Sequence, residues 1–260
     1  MPLDLTEADR LEVRRAKRLL ETRGLAVRIA DAVGAPVEKL LAALPDSAAQ
    51  MIQAATAKSL NAALRAVVSQ MNDAPKPPAQ WLHTLAVATT GAVGGAFGLA
   101  TLAVELPVST VIMLRSIADI ARSEGQSVKR LEVQLACVEV FALGGPSRSD
   151  DAAESAYFTV RAALAQTMAE AARHLAERGL AGGAAPALIR LTSQVAARFG
   201  IPVTEKVMAQ SVPVLGAAGG ALINVLFIRH FQDLARGHFI VRRLEAVYGQ
   251  EAVRAAYLEM

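Results

Sequence analysis

The chain has 260 residues, of which 53% are hydrophobic and only 4% aromatic, and its formal net charge is +3. This hydrophobic content excludes a disordered chain, and few aromatic residues beside many alanines favour packed helices over sheets. The mild charge, with acids and bases interspersed, excludes nucleic acid as a partner. The single cysteine, Cys137, excludes an intrachain disulfide and a cysteine-based zinc site. We therefore expect an all-α, multi-helix bundle.

The N-terminal region, residues 1–72, has the pattern of amphipathic helices. Thr6 predicts an N-cap with acidic residues in the first turn after it. Gly24 interrupts that helix, a short one follows, and from Ser47 apolar residues three to four apart predict a long amphipathic helix. Residues 73–80 contain three prolines and predict a linker. Despite this linker, we predict one integrated domain over residues 10–258, with its core over residues 81–260.

Two glycine-rich apolar segments, Leu82–Val104 and Val212–Ile228, are the most distinctive feature of the sequence. The first has no charged residue before Glu105 and is long enough to cross a bilayer. Small residues one turn apart let two helices approach closely, so we expect the two segments to pair at the centre of the bundle. The alternative is a soluble core without lipid. The packing glycines are Gly91, Gly94, Gly95, Gly98, Gly216, Gly219 and Gly220.

Between and after these segments, glycine and proline divide the chain into further helices. Pro107 is predicted to start a helix that Gly125 ends, and the next helix is predicted to end at Gly144. A long helix is predicted over residues 151–178. Pro202 is predicted to separate two helices, and the second glycine-rich segment runs on into a polar helix before a last short one.

Several stretches of the chain form a recognisable combination. They are GGAFGLATLAVELPVSTVIMLRSIADIARSEG, CVEVFALGG, VAARFG, VPVLGAAGGALIN and HFQDLARGHFIVRRLEAVYG. From about Leu19 to Tyr257 the chain resembles the EcsC family. The resemblance implies a fold and a bacterial context, and members are associated by name with an ABC transporter gene cluster. It implies no defined biochemical activity.

A first group of polar residues follows the first glycine-rich segment: Glu105, Arg115, Asp119 and Arg122. The last three share one face of a helix because they are separated by about one turn each. Arginine on such a face suits a phosphate or a lipid headgroup, since its planar fork matches phosphate oxygens. The alternative is a structural network of ion pairs that joins this helix to a neighbour.

A second polar group lies after the second glycine-rich segment. His230 and Asp233 are three residues apart and, with His238, form a weak metal candidate, which Glu105 or Glu139 would have to complete. The alternative is a solvated helix end whose basic residues, beginning with Arg229, lie at an anionic lipid surface. We predict no bound metal and no cofactor. Gly237 leaves the continuity of this helix open.

Asn224 is an isolated amide within the second glycine-rich segment, and it predicts an interhelical hydrogen bond rather than a ligand contact. No nucleophile elbow or phosphate-binding loop occurs, so the sequence identifies no reaction and favours a protein that is not an enzyme. We expect a membrane-associated or lipid-handling accessory protein that supports a transporter or secretion. An oligomer is compatible with this role. Its expected partner is membrane lipid or a membrane protein.

The N-terminus lacks the basic and apolar regions of a signal peptide, so we expect a cytoplasmic location at the inner face of the cell membrane. Two alternatives to the membrane role stay open. One is a soluble, hydrolase-like enzyme with a pocket between the Arg115 and His230 helices, where Glu105 and Asp119 would converge on His230. The other is a helical scaffold that recognises another protein.

Overall fold

The computed structural model of the protein describes residues 4–21, 24–34, 41–42, 44–70, 84, 86, 102–144, 153–180, 185–210 and 216–260. In these ranges the regular secondary structure is helical and contains no strand, which confirms the all-α fold class. The helices are α1 (Glu7–Leu20), α2 (Leu25–Val33), α3 (Asp46–Gln70), α4 (Leu102–Ser123), α5 (Leu131–Leu143), α6 (Ala153–Arg178), α7 (Pro186–Gln210), α8 (Gly216–Tyr248) and α9 (Gln250–Leu258).

Local signals place the ends of the first helices. The Thr6 hydroxyl accepts a hydrogen bond of 3.2 Å from the backbone N–H of Asp9, which caps α1 as predicted. Gly34 ends α2 in the left-handed conformation, with φ of 69°, because glycine has no Cβ to oppose it. The long helix predicted from Ser47 is α3, which begins at Asp46.

Pro107 does not start a helix, contrary to the prediction, but lies inside α4. Proline has no N–H, so the carbonyl of Ala103, four residues earlier, loses its helical donor. The Nζ atom of Lys58, on α3, lies 3.4 Å from that carbonyl oxygen and donates to it instead. A tertiary contact therefore replaces the hydrogen bond that proline removes, and the helix continues.

Pro202 was also predicted to divide two helices, and this prediction is wrong because α7 runs through it. The proline ring is buried, as are Phe199 and Val203 beside it. Burial of this apolar face against neighbouring helices favours an unbroken helix, and it outweighs the local cost of proline.

The core of the bundle is centred on four phenylalanines from α5, α7 and α8. Their ring centroids lie 4.8 to 6.1 Å apart in tilted and edge-to-face arrangements, which aromatic rings prefer over face-to-face stacking. Helix α8 is the central element and packs against α1, α2, α4, α5, α7 and α9. The four residues are Phe141, Phe199, Phe227 and Phe231.

Helix α8 is continuous through Gly237, where the sequence left its continuity open. A Cβ atom at this position would lie 2.7 Å from Cγ of Leu20 and 3.0 Å from the carbonyl oxygen of Ala16. Glycine is therefore required here because the backbone of α1 crosses α8 in close contact.

The second glycine-rich segment forms the beginning of α8 from Gly216 onwards, with Gly219 half-buried and Gly220 buried. The linker at residues 73–80 and the glycines of the first segment, from Gly91 to Gly98, lie outside the described residues. Among the helices that the structure does describe, none has the length and apolarity needed to cross a bilayer. The central pairing of the two segments therefore stays a prediction.

Candidate functional site

The first predicted polar group is divided between separate environments along α4. Glu105 is buried, whereas Arg115 is exposed and lies ten residues, about 15 Å, further along the helix axis. Asp119 and Arg122 are half-buried and pair with each other within the helix. Glu105 therefore lies apart from the other three residues, and the headgroup-binding face predicted for Arg115, Asp119 and Arg122 stays a prediction.

Glu105 belongs to a buried polar cluster that joins three helices. Its Oε1 atom lies 2.7 Å from Nζ of Lys206 on α7 and 3.2 Å from Nδ2 of Asn224 on α8. Asn224 in turn accepts a hydrogen bond of 3.4 Å from Nε2 of Gln210. The interhelical hydrogen bond expected of Asn224 is thus present. We call Glu105, Lys206 and Asn224 the Lys206 cluster.

The ammonium group of Lys206 is fully buried and would be costly without its partner. It also lies 5.1 Å from the centre of the Phe227 ring, so it gains a cation–π contact. In this cluster the opposite charges and the amide satisfy one another. The arrangement is that of a structural ion pair, the alternative that the sequence left open for Glu105.

The predicted histidine group on α8 also separates. Asp233 pairs with Arg28 on α2 at 3.5 Å and with Arg236 at 3.2 Å, and Arg229 is exposed. His230 is buried beside Phe231, and burial, followed by the charge of Arg28, lowers its pKa to about 4. Over the described residues, no three His, Cys, Asp or Glu side chains come together as metal ligands.

Glu105, Asp119 and His230 thus have different surroundings, and the two acids have different partners. This separation argues against the hydrolase-like pocket predicted between the Arg115 and His230 helices. Cys137 offers no alternative nucleophile, because burial raises the pKa of its thiol to about 12.

His238 is fully buried in a second polar cluster, at the junction of α5, α6 and α8. Its Nδ1 atom lies 3.0 Å from the phenolic oxygen of Tyr157, on α6. The opposite ring nitrogen, Nε2, lies 3.5 Å from Oε2 of Glu139, on α5. The phenol and the imidazole are therefore within hydrogen-bond distance of each other, and the carboxyl group lies next to the ring without a hydrogen bond to it.

Three more side chains complete this arrangement. Arg161 forms two parallel hydrogen bonds of 2.7 and 2.8 Å with the carboxylate of Glu245, and it lies over the Tyr157 ring. The Nε atom of Arg242 is buried without a hydrogen-bond partner, and no carboxylate among the described residues lies within ion-pair distance of this guanidinium. We call Glu139, Tyr157, Arg161, His238, Arg242 and Glu245 the Glu139 cluster.

The Glu139 cluster lies beside a cavity of about 340 Å³. One wall is polar and comes from α5 and α8, while α6 supplies apolar side chains and the first turns of α9 form the rim. The residues that line the cavity are Glu139, Phe158, Arg161, Ala162, Ala165, Met168, Arg242, Glu245, Gln250, Glu251 and Arg254.

Burial controls the protonation of this cluster. It raises the pKa of Glu139 to about 7, although the charges of Arg161 and Arg242 act in the opposite direction. Burial, followed by the same two arginines, lowers the pKa of His238 well below its usual value. It also raises the pKa of Tyr157. A carboxyl group that titrates near neutral pH at the surface of a cavity is typical of a functional site.

The sequence named His238 as a ligand or headgroup candidate and a weak metal candidate, and Glu139 as an acid that could complete a metal site. It missed Tyr157, Arg161 and Lys206 as partners. Lys206 could have been noticed, because apolar residues lie on both sides of it in one helix, at positions 202–203 and 207–209. The pairing of Arg161 with Glu245 joins residues 84 positions apart and requires the packing of α6 on α8.

The comparisons with known proteins concern the chain as a whole. The model of the EcsC protein family matches residues 7–244, which is most of the chain. Comparisons with curated proteins and with solved structures found no match. The family match agrees with the resemblance drawn from the residues, and the chain belongs to the EcsC protein family.

Proposed function

We propose that the protein is a membrane-associated, lipid-handling accessory protein, which attaches to the inner face of the cell membrane through the end of the bundle where α4 and α8 begin. Its partner there is membrane lipid, or a membrane protein such as a transporter. The observation that carries the proposal is a set of exposed apolar side chains at this end. The most exposed is Val104, at 70%.

The exposed residues lie close to both glycine-rich segments. Val104 and Val108, the latter 46% exposed, are on the first turns of α4, which follow the first segment directly. Leu222, 41% exposed, is in the second segment. The hydrogen bond between Glu105 and Asn224 holds these parts of α4 and α8 side by side. Both segments therefore lead into the same end of the bundle.

The chemistry of this end suits a lipid surface better than water. Valine and leucine gain roughly 25 cal/mol for each Å² of apolar surface that leaves water, so several of them favour an apolar environment. Lys58, which donates to the carbonyl of Ala103, provides a basic group beside them. A basic residue near an anionic membrane contributes about 1 kcal/mol to binding.

The test is flotation of the purified protein with neutral and with anionic liposomes, followed by a wash at high salt. We expect wild type to stay with the vesicles after the wash, because apolar contacts are not screened by salt. V104D should lose most of this retention. The matched control is V247D, since Val247 is 58% exposed on the same kind of surface but lies near the other end of α8.

Each outcome decides part of the proposal. Equal retention of V104D, V247D and wild type would show that this end is not the attachment site. Release of wild type at high salt, with binding only to anionic vesicles, would replace apolar attachment by surface electrostatics. Absence of binding to every vesicle would overturn attachment to lipid and leave a membrane protein as the proposed partner.

A further inference from the structure

The cavity beside the Glu139 cluster lies on a different part of the molecule from the proposed membrane end. Along α8, Arg242 is 20 residues from Leu222, which corresponds to about 30 Å. The cavity has polar and apolar walls, and its volume is at the lower limit for small-molecule sites. We propose that this cavity binds a small organic anion, whose carboxylate or phosphate group pairs with Arg242 and whose apolar part lies against Phe158 and Met168.

The charges around the cavity favour an anion. Arg161 and Glu245 neutralise each other through their paired hydrogen bonds. Arg242 lines the cavity, and its guanidinium has no such partner among the described residues. Arginine is also the side chain best matched to carboxylate and phosphate oxygens.

The rim of the cavity contributes one acid and one base. Glu251 and Arg254 are both exposed on α9, and Arg254 lies 5.7 Å from the centre of the Phe158 ring. Gly249 caps α9 without a side-chain hydrogen bond, and the first two residues of this helix, Gln250 and Glu251, line the cavity. The positive end of the α9 dipole therefore lies beside the cavity.

Glu139 makes this binding depend on pH. In its protonated form the carboxyl group can donate a hydrogen bond to the anion, whereas its ionised form repels the ligand. Burial raises the pKa of Glu139 to about 7, so the change falls near neutral pH. His238 stays neutral in this range because burial lowers its pKa, and Tyr157 stays protonated because burial raises its pKa.

The experiment is isothermal titration calorimetry with three probes of equal chain length, namely hexanoate, hexyl phosphate and hexanol. Wild type should bind the two anions and not the neutral alcohol. R242Q should weaken hexanoate binding by about tenfold or more, since it removes a charged hydrogen-bond donor. R130Q is the matched control, because Arg130 is an exposed arginine that does not line the cavity.

A pH series tests the role of Glu139. From pH 6 to pH 8 the affinity of wild type for hexanoate should fall by about tenfold, as the protonated fraction of Glu139 declines. E139Q should abolish most of this change, since glutamine cannot ionise. Circular dichroism of each variant separates loss of binding from loss of folding. The comparison of hexanoate with hexanol uses only wild type, so it remains a test even where a variant does not fold.

The source of the anion is distinguished by flotation with vesicles that contain phosphatidic acid. Lower retention of R242Q than of R130Q would assign the site to a lipid headgroup, and equal retention with intact hexanoate binding to wild type would assign it to a soluble anion. Equal affinity of wild type for hexanoate and hexanol, or equal hexanoate binding by R242Q and R130Q, would overturn the proposal. The membrane proposal rests on V104D and is decided separately.

Discussion

The Lys206 cluster and the Glu139 cluster differ in how completely their charges are paired. In the Lys206 cluster, the ammonium and the carboxylate of Glu105 are 2.7 Å apart and Asn224 adds a hydrogen bond. In the Glu139 cluster, the carboxyl group of Glu139 lies 3.5 Å from His238, and among the described residues the Nε–H of Arg242 has no hydrogen-bond partner. Both occur in one helical bundle, so burial of charge alone does not identify a functional site.

This difference determines which cluster still has groups that can bind a ligand. A satisfied pair stabilises one arrangement of helices and has no capacity left for a ligand. An incomplete cluster beside a cavity retains unused hydrogen-bonding groups and a carboxyl group that titrates near neutral pH. Variants of the two clusters and of Gly237 test this comparison, and the structural Lys206 cluster comes first.

The largest effect is expected from K206M. Methionine leaves the buried carboxylate of Glu105 without its opposite charge, so the free energy of unfolding should fall by about 3–5 kcal/mol. The measurement is urea denaturation followed by circular dichroism. The double variant K206M/E105Q should recover a substantial part of the loss, because both charges are then absent. A loss below about 1 kcal/mol for K206M would contradict a structural role for the pair.

The second prediction concerns the pH dependence of stability at Glu139. Its pKa rises from 4.5 to about 7 on burial, so between these values the folded protein keeps a proton that the unfolded chain has released. The stabilisation is therefore present below pH 4.5 and is lost as the pH rises to about 7. Relative to E139Q, the free energy of unfolding of wild type should fall by on the order of 3 kcal/mol across this range.

Wild type must be compared with E139Q rather than judged by its own slope. The pKa values of His230 and His238 are lowered on burial, so their contributions increase with pH where that of Glu139 decreases. These histidines are present in both proteins and cancel in the difference. Parallel pH profiles of wild type and E139Q would contradict a raised pKa at Glu139.

The sequence predicted structural features that depend only on residues close together along the chain. The cap at Thr6 requires only a local hydrogen bond, and its prediction was correct. Pro107 was placed wrongly because the donor that replaces its missing N–H is Lys58, on another helix. The same limit applies to Pro202, where buried packing outweighs the local preference.

For the two clusters, the sequence identified candidate residues but did not show which side chains contact one another. His238 was singled out as a polar residue, but its contacts with Tyr157 and Glu139 come from α6 and α5. Periodicity along one helix cannot show which residues of another helix lie opposite. Asn224 was an easier case, because a lone amide in an apolar helix requires an interhelical partner whatever its identity.

The smallest effect concerns Gly237, which precedes His238 and fixes α1 against the part of α8 that carries the Glu139 cluster. G237A should lower the free energy of unfolding by about 1–3 kcal/mol, because its Cβ would meet Leu20 and the Ala16 carbonyl oxygen. G200A is the matched control, since Gly200 is also helical and has no neighbouring atom within 4 Å of an added Cβ. It should raise stability by up to about 1 kcal/mol through helix propensity.

The two glycine variants separate packing from propensity when both are measured by urea denaturation. Opposite signs for G237A and G200A would show that α1 holds this face of α8 at a fixed distance, so that the environment of His238 is set by tight packing on two sides. Stabilisation of both would mean that α1 moves away at little cost. In that case the burial that shifts the pKa of His238 would depend less on α1 than on the contacts with α5 and α6.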